Sequence, residues 1–242
     1  MTSMHRFANP TRFLRIANAV LPWCAGLTVV FFAAGLYFGL FTAPPDYQQG
    51  DTVRIMFVHV PAAWMAMFVY SIMALASAVG FIWKHPLNDL VAKTSAPIGA
   101  AFTFLALVTG SLWGQPMWGT WWVWDARLTS VLVLFFLYLG YMALWQAYDD
   151  PVKAAKPAAI LALVGFVNVP IIKFSVDWWN TLHQPASVMT MNGPKMSSEF
   201  LVPLLLMALA YKFYYLTVLI YRLRTEIAAR KIRVLTLAQV EG

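Results

Sequence analysis

The chain has 242 residues, of which 61% are hydrophobic and only 11% are charged. Soluble globular domains carry about 25% charged residues, so this composition indicates a membrane protein and excludes an ordinary soluble enzyme. The net charge of +7 does not indicate nucleic acid as a partner, because the basic residues lie between apolar runs, where they orient membrane spans. The single cysteine, Cys24, excludes an internal disulfide and a thiolate metal cluster.

Long apolar runs follow one another along the chain, each near the ~20 residues that a helix needs to cross a bilayer. Strands of a membrane barrel would show alternating segments of ~10 residues instead, and the sequence has none. We therefore predict an all-α, polytopic membrane protein with one domain over 1–242 and membrane lipid around its helices. The six predicted spans are 19–41, 54–83, 96–113, 128–148, 157–174 and 200–221.

The placement of positive charge predicts the orientation of these spans. Twelve of the seventeen Lys and Arg residues lie before the first span, in the short loops after the second and fourth spans, and in a C-terminal tail that we predict to be helical. Basic loops stay in the cytoplasm, so both termini are expected there. The first predicted span is longer than the ~7–15 apolar residues of a signal peptide and is expected to be retained. The loops 114–127 and 175–198 then face outward, into the periplasm of a Gram-negative bacterium.

Residues 113–127 carry five of the eleven Trp residues, and we call 114–127 the tryptophan loop. A loop this aromatic exposes large apolar faces that something must cover. The bilayer interface, another part of the protein and a flat ligand are the candidates. An aromatic belt at the interface explains single Trp residues, but not five around Gly114 and Gly119. Indoles stack on a planar porphyrin, and glycine lets backbone approach it closely.

Two histidines on the outward side are candidate ligands. His59 follows Arg54 by five residues, near the outer edge of the second span, where an ionisable residue is by default a functional hypothesis. A neutral histidine bonded to a backbone carbonyl is the alternative. His183 follows Trp178 and Trp179 in the other long outward loop and, by itself, fits a surface histidine. Two imidazoles on separate elements can take both axial positions of a haem iron.

A zinc site is the alternative to a haem site on the outward side, and charged residues there offer further contacts. Zinc needs three or four ligands, and the outward acidic residues that might supply them have no distinctive spacing. Arg54 and Arg127 begin their spans at the outer side, where guanidinium groups can pair with haem propionates. A membrane-interface anchor is the alternative for Arg127. Asp125 is expected to hold an indole N–H or to pair with Arg127.

Residues 118–125 read W-G-T-W-W-V-W-D. They match the W-G-x-x-W-x-W-D signature of the WWD family, the haem-handling proteins of cytochrome c biogenesis. The six spans, the sequence H-V-P-A-A-W over 59–64 and the sequence W-W-N-T-L-H-Q over 178–184 resemble the haem exporter protein C branch of that family. The resemblance covers nearly the whole chain.

The resemblance implies a haem-handling protein of the bacterial inner membrane and not an enzyme. It implies that His59 and His183 are the axial ligands of a transient haem b, and that the tryptophan loop supports the ring through Trp118, Gly119, Trp122, Trp124 and Asp125. The implied partners are a membrane-anchored periplasmic haem chaperone, the ATPase and permease subunits of an ABC transporter, and a small single-span assembly protein.

The residues alone leave other functions open. A membrane oxidoreductase subunit with permanent b-type haem would place histidine pairs on facing helices, often toward both sides, but the cytoplasmic half offers only His85. A permease subunit for a small solute would need a polar track inside the spans, and little exists beyond Asn168, Lys173 and Lys212. A purely structural assembly subunit would leave the tryptophan loop unexplained.

Overall fold

The computed structural model describes residues 10–184, 187–188 and 193–241. Parts of the predicted loop 175–198, the first nine residues and residue 242 therefore lie outside the described residues. The long elements are helices, with a π-helical turn at Phe38–Thr42 and a 3₁₀ turn at Asp51–Ile55. The helices are α1 Pro10–Tyr37, α2 Met56–Trp83, α3 Pro86–Trp118, α4 Ala126–Gln146, α5 Pro151–Gly165, α6 Asn168–Trp178 and α7 Ser198–Glu241.

Six helical segments of the described chain are long and apolar enough to cross a membrane. This confirms the predicted fold class, an all-α polytopic membrane protein. The segments are Pro10–Thr42, Asp51–Trp83, Leu87–Trp118, Ala126–Gln146, Pro151–Trp178 and Ser198–Arg233.

The third span differs most from its predicted bounds, 96–113. Only Lys84 and His85 separate α2 from α3, because Lys84 adopts a left-handed conformation that ends α2. Pro86 is the first residue of α3. The N–H groups of a first helical turn have no partner within the helix, so the missing N–H of proline costs no hydrogen bond there. Pro97, the second residue of the predicted span, is consequently inside the helix. At the other end α3 continues to Trp118, so residues 114–118 of the predicted loop are helical.

The fifth span is broken where the sequence predicted one helix over 157–174. A two-residue turn at 166–167 separates α5 from α6. Asn168 follows this turn, and its Nδ2 donates a hydrogen bond to the Ser130 carbonyl of α4 at 2.8 Å. One of the polar residues considered for a solute track therefore holds α6 against α4.

Helix α2 lies at the centre of the bundle, packs most extensively against α3, and also contacts α5 and α7. Tyr138 of α4 is fully buried and donates a hydrogen bond to the Ala66 carbonyl of α2 at 2.8 Å. Its ring meets Tyr70 edge to face, with 5.0 Å between centroids. Gly99 of α3 lies against the same ring and leaves no room for a Cβ. These contacts fix α2, α3 and α4 relative to one another.

Helix α7 extends well beyond the predicted span 200–221 and confirms that the basic tail is helical. Lys93 of α3 forms a salt bridge with Glu226 in this extension, at 2.9 Å. The same ammonium group lies 5.5 Å from the centre of the Trp145 ring at the end of α4. These contacts fasten α3, α4 and α7 together at the end of the bundle opposite the tryptophan loop.

Replacing Gly99 by alanine tests the packing around Tyr138. The added Cβ would occupy space that the Tyr138 ring fills, and overpacking of this kind costs roughly 1–3 kcal/mol of unfolding free energy. Gly26→Ala is the control, because no described atom of another element lies within 4 Å of the position its Cβ would take. Circular dichroism in detergent should show a lower melting temperature for Gly99→Ala alone. Equal melting temperatures would contradict this packing.

Candidate functional site

Three connecting segments of the chain meet at one end of the helix bundle. Trp113, near the end of α3, donates a hydrogen bond from Nε1 to Oε1 of Gln49 at 3.0 Å, which joins the segment after α1 to the end of α3. The ring of Trp118, the last residue of α3, meets the His183 ring with 5.0 Å between centroids, which joins the end of α3 to the segment after α6. The sequence predicted that these three segments lie on the same side, and they are in contact.

Two residues of the W-G-x-x-W-x-W-D motif form the ends of helices. Gly119 has φ +74°, a conformation that L side chains rarely adopt, and its N–H donates to the Gln115 carbonyl at 3.0 Å to end α3. Asp125 precedes α4, and its Oδ1 accepts a hydrogen bond from the Leu128 N–H at 2.7 Å. The non-helical part of the tryptophan loop is therefore 119–125, about half of the predicted 114–127.

The tryptophans of this loop fall into two groups by exposure. Trp118 and Trp122 are half-buried. Trp121 and Trp124 are 58% and 74% exposed, although the Trp124 ring meets Trp122 edge to face at 5.5 Å. Trp121 also lines a shallow apolar groove of about 290 Å³ on the side of α3. The loop thus presents one indole to His183 and leaves two indoles open to a membrane surface or a partner.

His59 projects from α2 onto α3. Its Nδ1 lies 3.0 Å from the Ala106 carbonyl oxygen and 3.1 Å from Oγ1 of Thr109. The His59 ring also meets the Trp113 ring, with 5.6 Å between centroids. A carbonyl oxygen can only accept a hydrogen bond, so Nδ1 carries the proton and Nε2 carries the lone pair. His59 is therefore a histidine bonded to a backbone carbonyl, and its Nε2 keeps the lone pair.

His183 follows α6, and its side chain is 20% exposed. Its Nδ1 lies 3.5 Å from Oδ2 of Asp125, the carboxylate oxygen that does not cap α4. Burial lowers the pKa of His183 below 6.5; Asp125 opposes this shift, and Arg127 adds to it. The lowered pKa favours the neutral form of the imidazole. A carboxylate beside Nδ1 is the usual partner of a histidine that binds metal through Nε2.

Arg127, the second residue of α4, connects this region to α6. Its Nε donates to Oγ of Ser175 at 3.0 Å, and its Nη2 donates to the Ile172 carbonyl at 3.3 Å. The guanidinium charge also lowers the pKa of His183. The site residues of α4, α6 and the segment after α6 therefore form one cluster.

Residues 3–238 match the sequence profile of the family described as Heme exporter protein C. A relative of that name from Bradyrhizobium diazoefficiens is 61% identical over 232 residues, which cover 96% of this chain and 88% of the relative. One from Haemophilus influenzae is 48% identical over 224 residues, with 93% and 91% covered. One from Escherichia coli K12 is 53% identical over 187 residues, with 77% and 76% covered.

The chain belongs to the Heme exporter protein C family. This confirms the resemblance that the tryptophan motif and the two histidine segments indicated.

The structure of this member of the Heme exporter protein C family does not group all predicted site residues. The described contacts of Arg54 are with Asp51, at 3.1 Å, and with the Leu40 carbonyl, and they close the segment after α1. No described contact joins Arg54 to either histidine or to the tryptophan loop. In the described part of the chain, no three His, Cys, Asp or Glu side chains are grouped to hold a bare metal ion.

Sequence reasoning missed the residues of α3 that touch His59. Ala106, Thr109 and Gly110 are ordinary residues for a membrane helix, and only their spacing before Trp113 places them on one helical face. Ser175, which accepts the bond from Arg127, was also missed. Its predicted position in a loop gave no sign that it ends up fully buried in α6.

Replacing Asp125 by asparagine should lower the pKa of His183 further. The carboxylate charge raises that pKa, while an asparagine oxygen still caps α4. Because the folded chain would then take up this proton at lower pH than the unfolded chain, the variant should lose more stability as the pH falls below 6.5. Histidine-selective NMR titration of the haem-free protein measures the pKa. An unchanged or higher value would show that Asp125 does not act on His183.

Proposed function

We propose that this chain binds haem b at the periplasmic face of the bacterial inner membrane. It delivers the haem to a periplasmic chaperone during cytochrome c maturation. The names of its relatives support a role in haem handling. The observation that carries the proposal is the pair of histidines at one end of the bundle, each with its Nδ1 beside an oxygen of the protein.

The two histidines act as the axial ligands of the haem iron. His59 comes from a helix and His183 from the segment after α6, so they can approach a flat ligand from different elements. The Ala106 carbonyl accepts a hydrogen bond from Nδ1 of His59, and the charge of the Asp125 carboxylate near Nδ1 of His183 favours a proton on that nitrogen too, which leaves Nε2 of each ring for iron. Neutral imidazole on both sides is a common ligand set for haem proteins.

The tryptophan loop supports the ring and meets the chaperone. Trp118 touches His183 and is placed to contact a ligand of that histidine. Trp122, Gly119 and the exposed Trp124 complete the aromatic surface. An open surface suits a cargo that must leave again, because the ligand is not enclosed by four helices. Arg127 lies in the same cluster as His183, whereas the described contacts of Arg54 lie in the segment after α1, so Arg127 is the better placed of the two to attract a propionate.

We also propose further partners for this chain and its orientation in the membrane. The ATPase and permease subunits of an ABC transporter, and a small single-span protein, assemble with this chain, as the relatives' exporter name suggests. Both termini lie in the cytoplasm, consistent with the basic helical extension of α7. We assign haem transfer and no catalytic residue, although the site can promote covalent attachment of haem to the chaperone.

Alanine substitutions of the histidines test the haem site. His59→Ala and His183→Ala should each lose bound haem from the purified protein, because one axial bond is removed. His85→Ala is the matched control: His85 is a buried histidine in the turn between α2 and α3 and should not affect haem binding. Absorption spectra and the pyridine haemochrome assay measure the haem content of each purified variant. A full haem complement and an unchanged spectrum in both variants would overturn the proposal.

The same spectra separate haem transfer from a permanent b-type haem. Wild-type protein should lose its haem when the purified chaperone partner is added, since the haem is cargo. A haem that stays with this chain and cycles between oxidation states would instead indicate a membrane oxidoreductase subunit.

Cysteine labelling tests the orientation. The one native cysteine, Cys24, is buried, so the maleimide should label only the introduced cysteine. Trp121→Cys should react with a membrane-impermeant maleimide added to the periplasmic side, and Ile232→Cys only after the inner membrane is opened. Both positions are more than half exposed, at 58% and 64%. The reverse pattern would show that the loop faces the cytoplasm.

A further inference from the structure

Gly110 gives the His59 ring its position against α3. A Cβ at residue 110 would lie 2.9 Å from Cε1 and 3.4 Å from Nδ1 of His59. The first distance is closer than real Cβ contacts allow, so any larger residue pushes the ring away from α3. Gly110 has a helical backbone that any residue could adopt. A glycine is therefore needed here because it lacks a side chain, and not because of its backbone conformation.

Thr109 supplies a second oxygen for the same imidazole. Its hydroxyl donates a hydrogen bond to the Leu105 carbonyl at 2.6 Å. With its only proton used, Oγ1 can act toward His59 only as an acceptor, and Nδ1 lies 3.1 Å away. The Nδ1–H is therefore shared between Thr109 and the Ala106 carbonyl, which lies 3.0 Å from Nδ1.

We propose that Thr109 and Gly110 are positioning residues for His59, and that they hold its imidazole in one tautomer and orientation for binding haem iron. The inference rests on the proposed haem-binding function and adds two residues that are not part of the tryptophan motif. By accepting a hydrogen bond from the Nδ1–H of His59, Thr109 raises the donor strength of Nε2. Gly110 keeps the ring close enough to α3 for both hydrogen bonds to form.

Thr109→Val tests the hydrogen bond, because valine has nearly the same shape and lacks the oxygen. We expect it to weaken haem binding by about tenfold, the lower end of what loss of such a partner costs a metal site. Thr109→Ser keeps the oxygen and should bind haem like the wild type. Gly110→Ala should change the spectrum toward that of a haem with one histidine ligand, and added imidazole should restore the six-coordinate spectrum.

Two control variants separate positioning from general damage to α3. Thr103 is buried in the same helix and donates to the Gly99 carbonyl at 2.7 Å, but no described contact joins it to His59. Thr103→Val should therefore leave haem binding unchanged. Gly26→Ala adds a methyl group in open space on α1 and controls for Gly110→Ala.

A second measurement uses the haem-free protein. Nitrogen-15 NMR of labelled histidine should show the Nδ1–H tautomer of His59 in the wild type and in Thr109→Ser. In Thr109→Val the Nδ1 resonance should shift, because one acceptor is lost. If Thr109→Val does not fold, Thr109→Ala removes the same oxygen and is measured in its place.

The inference fails if Thr109→Val matches Thr103→Val in haem affinity and leaves the Nδ1 resonance unchanged. It also fails if Gly110→Ala binds haem with the wild-type spectrum. These results are distinct from failure of the proposed function, for which His59→Ala and His183→Ala would both have to retain a full haem complement with an unchanged spectrum.

Discussion

The hydrogen bond between the His59 imidazole and the Ala106 carbonyl is the interaction on which the rest of the site depends. It joins the two helices that pack most extensively in the bundle, and it is made in an apolar segment, where an unpaired polar group costs several kcal/mol. Because the carbonyl can only accept, this bond decides which ring nitrogen carries the proton. The bond that satisfies His59 inside the protein thus also leaves Nε2 with the lone pair that the proposed iron ligand needs.

The tryptophan motif combines the geometry of the chain with the chemistry of the site. Gly119 ends α3, and Asp125 begins α4, so the motif sets where the chain leaves and re-enters the bundle. The second oxygen of Asp125 lies beside His183. A change in the path of the loop would therefore move Asp125, which both caps α4 and lies beside His183. This links the aromatic surface to the proposed iron site.

The two histidines are held unequally. His59 lies on a helix, with two oxygens near 3 Å from its Nδ1 and a glycine that makes room for the ring. His183 lies outside the helices, with one carboxylate oxygen at 3.5 Å from its Nδ1 and one indole at its edge. One firmly held and one loosely held histidine would suit the proposed capture and later release of haem, because only one of the two proposed iron bonds need weaken for transfer to begin.

The number of spans, the grouping of the tryptophan loop with His59 and His183 at one end of the bundle, and the family could all be predicted from the sequence. Span length, the placement of basic loops and a dense motif are local properties of the chain. Helix ends near Pro86 and Gly119 were less predictable, since proline and glycine suit either a break or a continuing helix. Only the tertiary structure decided which oxygens face each imidazole, that Arg127 contacts α6 and that Arg54 closes another loop. These pairings join residues far apart in sequence, and they depend on how α2, α3 and α4 pack.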